Sequence, residues 1–96
     1  MHAVIRNYSG SGAKELFDLL EARKSDVEEL LRSVQGFAHY FLIRTATGGS
    51  TVTVCQEKAG TDESLQKAKV WIETNASNIG ASAPQVSEGP VILQMG

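Results

Sequence analysis

Hydrophobic and polar residues alternate in the middle of the chain and predict two adjacent β-strands. The first predicted strand is Phe37–Thr45, and the second is Ser50–Glu57, whose β-branched residues are typical of a central strand. Between them lies the small-residue link Ala-Thr-Gly-Gly at positions 46–49. Because glycine tolerates the positive φ angles of tight turns, this link predicts a β-hairpin.

Two further strands are predicted near the ends of the chain. In His2–Tyr8 the alternation places Arg6 and Asn7 on opposite faces. The last strand, Gln85–Met95, is interrupted at Pro90. Proline cannot donate a hydrogen bond to a β-ladder, so this strand is predicted at a sheet edge, at a bulge, or at a change of partner.

A helical period covers residues 13–34, where apolar residues recur three, four or seven positions apart. The apolar stripe lapses at Arg23 and Lys24. Just beyond, Ser25 is followed three residues later by Glu28, which is the pattern of a helix-starting capping box. The region is therefore either one long helix with a charged interruption or two helices that meet near Ser25, and the pattern favours the break.

A second helical period follows the hairpin. Thr61 or Asp62 is suited to the N-cap position, and Asn78 and Gly80 are suited to ending the helix. Trp71 borders the apolar stripe of this helix. The stripe itself consists of Leu65, Ala68, Ile72, Ala76 and Ile79.

The resulting order, β-α-β-β-α-β, indicates a fold class. Both β-α-β crossovers are expected to be right-handed, and the two central strands form a hairpin. The compact solution is an α+β, ferredoxin-like fold, with an antiparallel sheet, the first and third strands in its centre, and the helices on one face. A length of 96 residues suits a single domain, residues 1–96. The uncovered face would expose large apolar side chains, so we expect a second copy to pack against it.

Charge and composition exclude several classes of protein. The net charge is −2, with 9 Lys+Arg and 11 Asp+Glu, which argues against a nucleic-acid binder. No apolar run is long enough to span a membrane, and the first residues lack the apolar segment of a signal peptide. Cys55 is the only cysteine, so it cannot form an internal disulfide and is expected to be a buried, inert thiol. We therefore expect a cytoplasmic protein.

On these features the chain resembles the dimeric α+β barrel superfamily, which includes antibiotic biosynthesis monooxygenases and heme-degrading monooxygenases. The resemblance rests on the order of elements, on the Gly36-Phe37 entry to the second strand, and on the helix Leu65–Ile79 with its Trp71. It spans Ala3–Leu93 and implies a homodimer with a barrel-like core. It also implies a pocket between the sheet and the helices of each subunit.

The resemblance singles out Asn7 and Trp71, because the monooxygenases line their substrate cavity with an asparagine of the first strand and a tryptophan of the later helix. Asparagine at a strand end also forms turn bonds, and tryptophan beside a helical stripe is usually part of the core. The heme-degrading relatives carry an iron-binding histidine after the tryptophan. No histidine follows Trp71 in this sequence, so the resemblance does not extend to that heme site.

Two strand residues complete the predicted substrate-binding set, which is Asn7, His39, Tyr40 and Trp71. His2 and His39 could face one cavity, but without Cys, Asp or Glu at ligand spacing they predict no metal site. Tyr40 lies on the same strand face as Arg44, where the two could meet a small anionic or phenolic ligand, although an ion pair is the simpler role for Arg44. No catalytic residue, metal or cofactor is predicted.

Two functions remain open from the sequence. The first is a homodimeric, cofactor-independent monooxygenase-like enzyme, in which an aromatic substrate itself activates oxygen. The second is a non-catalytic dimer that binds a small apolar or aromatic ligand or acts in a stress response. No acid–base pair or nucleophile motif favours the first over the second.

Overall fold

The computed structural model describes residues 1–96 and has four strands and three helices. The sheet is wholly antiparallel, with the strand order β2-β3-β1-β4. The predicted ferredoxin-like α+β fold is therefore confirmed, with β1 and β3 in the centre. The elements are β1 His2–Ser9, α1 Ala13–Ala22, α2 Lys24–Arg32, β2 Phe37–Thr45, β3 Gly48–Cys55, α3 Lys58–Asn75 and β4 Gln85–Pro90.

The helices cover one face of the sheet and leave the other open. Along β1, Val4 and Tyr8 are buried whereas Ile5 and Asn7 are exposed, which is the alternation expected when only one face meets a core. The core lies between this covered face and helices α1 and α2, and the burial of its apolar side chains stabilises the fold. Its buried members are Tyr8, Ala13, Leu16, Phe17, Leu20, Val27, Leu31 and Ala76.

The first helical region is two helices, so the favoured break near Ser25 is confirmed, and the helices meet at Arg23. The Arg23 N–H donates to the Leu19 carbonyl at 2.9 Å, which closes α1. The Arg23 carbonyl then accepts from the N–H groups of Asp26 and Val27 at 3.0 and 3.1 Å, which opens α2. The capping box predicted at Ser25 is wrong, because the N-cap is Arg23 and no side chain caps the helix.

The predicted hairpin is confirmed, but its glycines lie in β3 and not in the turn. Thr45 pairs with Gly48, so the turn is Ala46-Thr47, and neither turn residue has a positive φ. Strand β3 therefore begins at Gly48 instead of Ser50, and it ends at Cys55 instead of at residue 57. A Cβ on Gly49 would meet the Phe17 ring at 2.2–2.5 Å, so Gly49 is required for α1 to approach the sheet.

Helix α3 begins and ends earlier than predicted. It starts at Lys58, and Thr61 lies inside the first turn, where its hydroxyl donates to the Lys58 carbonyl at 2.9 Å. The predicted cap at Thr61 or Asp62 is therefore wrong. The helix ends at Asn75, because the next residue, Ala76, leaves the helical conformation while its N–H still bonds to the Ile72 carbonyl at 2.8 Å.

Strand β4 is an edge strand, as predicted, but it ends at Pro90 and does not continue to Met95. One further bond follows, in which the Val91 N–H donates to the Met1 carbonyl at 3.0 Å. Beyond it Ile92 and Leu93 are exposed. None of the three helices has the length and apolar character needed to cross a membrane.

Candidate functional site

A groove of about 640 Å³ lies between the edge strand β2 and helices α1 and α2. We call it the β2 groove. Its volume falls in the range of small-molecule sites, which are mostly apolar with a few polar groups. Charged residues of α1, α2 and β2 form its rim. Apolar side chains form its floor, namely Phe17, Val27, Leu31, Phe37, Ala38, Tyr40 and Leu42.

Arg44 links the two walls of the β2 groove at one end. Its guanidinium lies 3.0 Å from Asp18 and 2.9 Å from Glu21, both on α1. All three side chains are exposed, so these ion pairs contribute little to stability. The two ion pairs instead orient the Arg44 side chain, which points toward α1 and away from the groove floor.

Behind the groove floor, the covered face of the sheet contains a buried arginine. Arg6 is only 7% exposed. Its Nε donates to Thr51 Oγ1 at 3.0 Å, and one terminal nitrogen donates to the Tyr8 hydroxyl at 3.2 Å. The guanidinium carbon also lies 5.9 Å from the centre of the Tyr8 ring, within the range of a cation–π interaction.

Tyr40 separates Arg6 from the groove. Burial raises the pKa of the Tyr40 phenol, and the neighbouring Arg6 guanidinium lowers it only in part. The phenol is therefore neutral at physiological pH and retains its O–H as a hydrogen-bond donor. Tyr40 lines both the groove and a smaller cavity next to Arg6.

This inner cavity has a volume of about 20 Å³ and lies between the sheet and all three helices. Arg6, Tyr8, Tyr40 and Thr51 supply its polar wall. The helices supply apolar groups and the indole of Trp71. Its size corresponds to about one water molecule or one non-hydrogen atom of a ligand.

The four predicted binding residues do not converge on one site. Tyr40 and Trp71 both line the inner cavity. Asn7 instead lies on the open face, where its side-chain oxygen accepts a hydrogen bond from Ser50. His39 borders the β2 groove at a bulge in β2, but its Nε2 contacts the Gln94 side chain at 3.0 Å.

The histidines are also separate from each other. His2 pairs opposite Cys55 on the covered face, and its Nδ1 contacts Thr61 at 2.9 Å. His39 pairs opposite Val54, on the open face. The expectation that His2 and His39 face one cavity is therefore wrong, because their register in the sheet gives them opposite sides.

Arg23 makes a cation–π contact with Trp71, in which the guanidinium carbon lies 5.4 Å from the indole centre. The same guanidinium pairs with Asp26. Arg23, which lies at the junction of α1 and α2, therefore packs on the indole of Trp71, and that indole lines the inner cavity. This contact ties the position of Trp71 on α3 to the junction of the other two helices.

The side chains near the groove do not fit a heme iron. A heme iron takes one axial side chain from the protein, most often an imidazole. His39 is the one imidazole that borders the groove, and it contacts Gln94.

The thiol of Cys55 is fully buried, and burial raises its pKa, with a further increase from the negative charge of Glu63. We expect the native protein to react with a disulfide reagent at pH 8 about a hundredfold more slowly than the protein in guanidinium chloride, because the thiol must first be exposed by opening of the structure. Absorbance of the released thiolate measures the rate. The added thiol of Ser82→Cys, at an exposed loop position, should react at once, and equally fast labelling of Cys55 would contradict its burial.

Solved structures with the same fold as this chain include the three described below. No protein-family model and no curated protein matches the chain. The heme-degrader MhuD from Mycobacterium tuberculosis, solved with two hemes in its active site, matches with a TM-score of 0.68 at 22% identity over 100% of both chains. A dimeric ferredoxin-like protein from an uncultured marine organism matches with a TM-score of 0.64 at 13% identity, over 98% of this chain and 94% of that chain.

A monooxygenase from the gene ActVA-Orf6 of Streptomyces coelicolor, solved in complex with Nanaomycin D, is a more distant match. Its TM-score is 0.54 at 18% identity, over 98% of this chain and 91% of that chain. Identities this low show the fold alone. At that level they agree with the predicted resemblance, because the chain shares the fold of these three proteins.

Proposed function

We propose that this protein is a homodimer that binds an aromatic small molecule in the β2 groove and oxidises it as a cofactor-independent monooxygenase. The observation that carries the proposal is the apolar floor of the groove, which lies next to Arg6 and its polar neighbours Tyr8, Tyr40 and Thr51 (the Arg6 cluster). An aromatic ring matches the floor, and a polar substituent of the ligand matches the cluster. The structural neighbours that bind heme or Nanaomycin D support a large conjugated ligand.

The homodimer is supported by the open face of the sheet. Phe41, Ile43 and Ile5 are 55%, 45% and 37% exposed in one subunit and share this face. Large apolar patches on a soluble protein usually mark an interface. A second copy packed sheet to sheet would cover them, and the dimeric ferredoxin-like neighbour supports that arrangement.

The proposed oxidation needs no external reductant when the substrate has an oxidisable ring methylene. One atom of O₂ becomes the new carbonyl oxygen. The other atom leaves as water with the two methylene hydrogens, so that the substrate supplies all four electrons. The titratable groups of the groove, among them Glu21, Glu28 and His39, lie on its rim and not on its apolar floor. In the proposed turnover the substrate on that floor ionises without a base beneath it.

Binding is tested by quenching of Trp71, the only tryptophan of the chain, with 1-naphthol as the probe. Ala38 lines the groove, and Ala38→Phe should weaken binding about tenfold or more because the added ring occupies the floor. Ala59→Phe, at an exposed position of α3, is the matched control and should bind as the unchanged chain does. Equal affinity for all three proteins would refute the groove as the binding site.

Turnover is tested separately with 1,8-dihydroxyanthrone, a polycyclic phenol with one ring methylene. An oxygen electrode should record uptake above the uncatalysed rate, with one O₂ consumed for each carbonyl formed. Ala38→Phe should remove the excess uptake. If 1-naphthol binds but oxygen uptake stays at the uncatalysed rate, the second candidate replaces the enzyme. That candidate is a ligand-binding dimer, and the wholly apolar floor of the groove favours it.

A further inference from the structure

Arg6 is a buried cation without a carboxylate partner. The chain has eight ion-paired contacts, and none includes Arg6. Arginine cannot lose its proton in a protein, so the charge persists in the core. Taking an isolated charge out of water costs several kcal/mol after relaxation, and the cost is usually offset by an opposite charge.

The groups that contact Arg6 are neutral. Thr51 and Tyr8 accept its hydrogen bonds, and the Tyr8 ring faces the guanidinium. These contacts satisfy some of its N–H donors but do not cancel its charge. The 11 acidic residues of the chain include several that pair at the surface, as Asp18 and Glu21 do with Arg44, so acidic residues are present elsewhere but not beside Arg6.

The inner cavity gives a second, independent observation. It adjoins Arg6 and has room for about one atom the size of oxygen. Three of its lining residues, Val27, Leu31 and Tyr40, also line the floor of the β2 groove. The inner cavity and the β2 groove therefore adjoin at these three side chains.

We propose that Arg6 is the receptor for a single ionised oxygen of the bound ligand, a phenolate or enolate, which enters the inner cavity while the ring lies in the β2 groove. This inference rests on the proposed binding function and names its ligand class. The negative oxygen supplies the charge that Arg6 lacks within the chain. The cavity accommodates one oxygen atom and not the two of a carboxylate.

Tyr40 assists from the groove side, because its neutral phenol is a hydrogen-bond donor for the same oxygen. The other titratable group at the cavity is Tyr8, which already accepts from Arg6. Helices α1, α2 and α3 contribute no charged side chain to the cavity wall. Arg6 is thus the only full charge there, and it favours the ionised form of the ligand.

The experiment compares 4-nitrophenol with 4-nitroanisole, which has the same ring but no ionisable hydroxyl. The absorbance of 4-nitrophenol reports its ionisation, and a pH titration of the bound probe should show its midpoint lowered by about one unit or more relative to the free probe. 4-Nitroanisole and 4-nitrobenzoate should each bind about tenfold more weakly. These measurements use the unchanged chain, so they do not depend on the folding of a variant.

Arg6→Met tests the assignment to this residue. It should abolish the midpoint shift and equalise the affinities for 4-nitrophenol and 4-nitroanisole. Lys69→Met removes one exposed positive charge from α3 and should preserve the shift. The inference is overturned, with the binding function intact, if the unchanged chain binds both probes equally or if 4-nitrobenzoate binds as tightly as 4-nitrophenol. Failure of every probe and of 1-naphthol to bind would overturn the proposed function and the inference with it.

Discussion

Phe41→Asp is expected to convert the proposed dimer into a monomer. Phe41 is the most exposed large apolar residue of the open face, with 55% of its surface accessible in one subunit. In a two-fold symmetric interface the substitution occurs twice, and each copy places an unpaired carboxylate against apolar groups. At about 2 kcal/mol for each central residue, the dimer dissociation constant should rise about a thousandfold. Sedimentation velocity over a dilution series measures it.

Val70→Asp is the matched control for Phe41→Asp. Val70 is similarly exposed, at 51%, but it lies on α3, away from the open face. This variant should sediment as the unchanged chain does. If Phe41→Asp stays dimeric while Val70→Asp becomes monomeric, the interface lies on the helices. If the unchanged chain is itself a monomer at micromolar concentration, the homodimer proposal fails.

The order of elements can be predicted because it depends on local periodicity. The pattern bounds strand β2 correctly at Phe37–Thr45, since its apolar run lies between a glycine and a tight turn. The break in the first helical region is visible as a lapse in the apolar stripe. The lapse begins at Arg23, where the two helices meet, and only the capping-box pattern at Ser25 places the predicted junction further along the chain.

Tertiary contacts explain the errors at α3. Thr61 has the side chain of an N-cap residue, which is why the sequence pattern favours it. In the fold its hydroxyl instead lies between the Lys58 carbonyl and the His2 ring, and the helix starts three residues earlier than Thr61. A contact with the first strand of the chain cannot be found from a local pattern.

The sequence predicts the candidate site only in part. It singles out Tyr40 and Trp71 but not Arg6, although a signal for Arg6 is present. The alternation in β1 places Arg6 between Val4 and Tyr8 on the face that becomes buried. A charged residue in the middle of a buried strand face indicates a partner or a ligand. Asn7, next in sequence, necessarily points to the opposite face.

Gly49→Ala should strongly destabilise the fold. Its Cβ would lie 2.2–2.5 Å from the Phe17 ring, which is fully buried and cannot rotate away. Overpacking of this kind costs about 3 kcal/mol, which lowers the melting temperature of a chain this short by more than about 10 °C. Circular dichroism at increasing temperature measures the loss.

Gly89→Ala is the matched control for this effect. Gly89 lies in the edge strand β4, has no positive φ, and has no neighbour within 4 Å of an added Cβ. It should melt within about 4 °C of the unchanged chain, since surface substitutions usually change stability by less than about 0.5 kcal/mol. Because Phe17 is also part of the floor of the β2 groove, Gly49→Ala should weaken 1-naphthol binding even below its melting temperature. Equal melting temperatures for the two variants would show that α1 can move off the sheet without cost, and would contradict the close packing that shapes the groove.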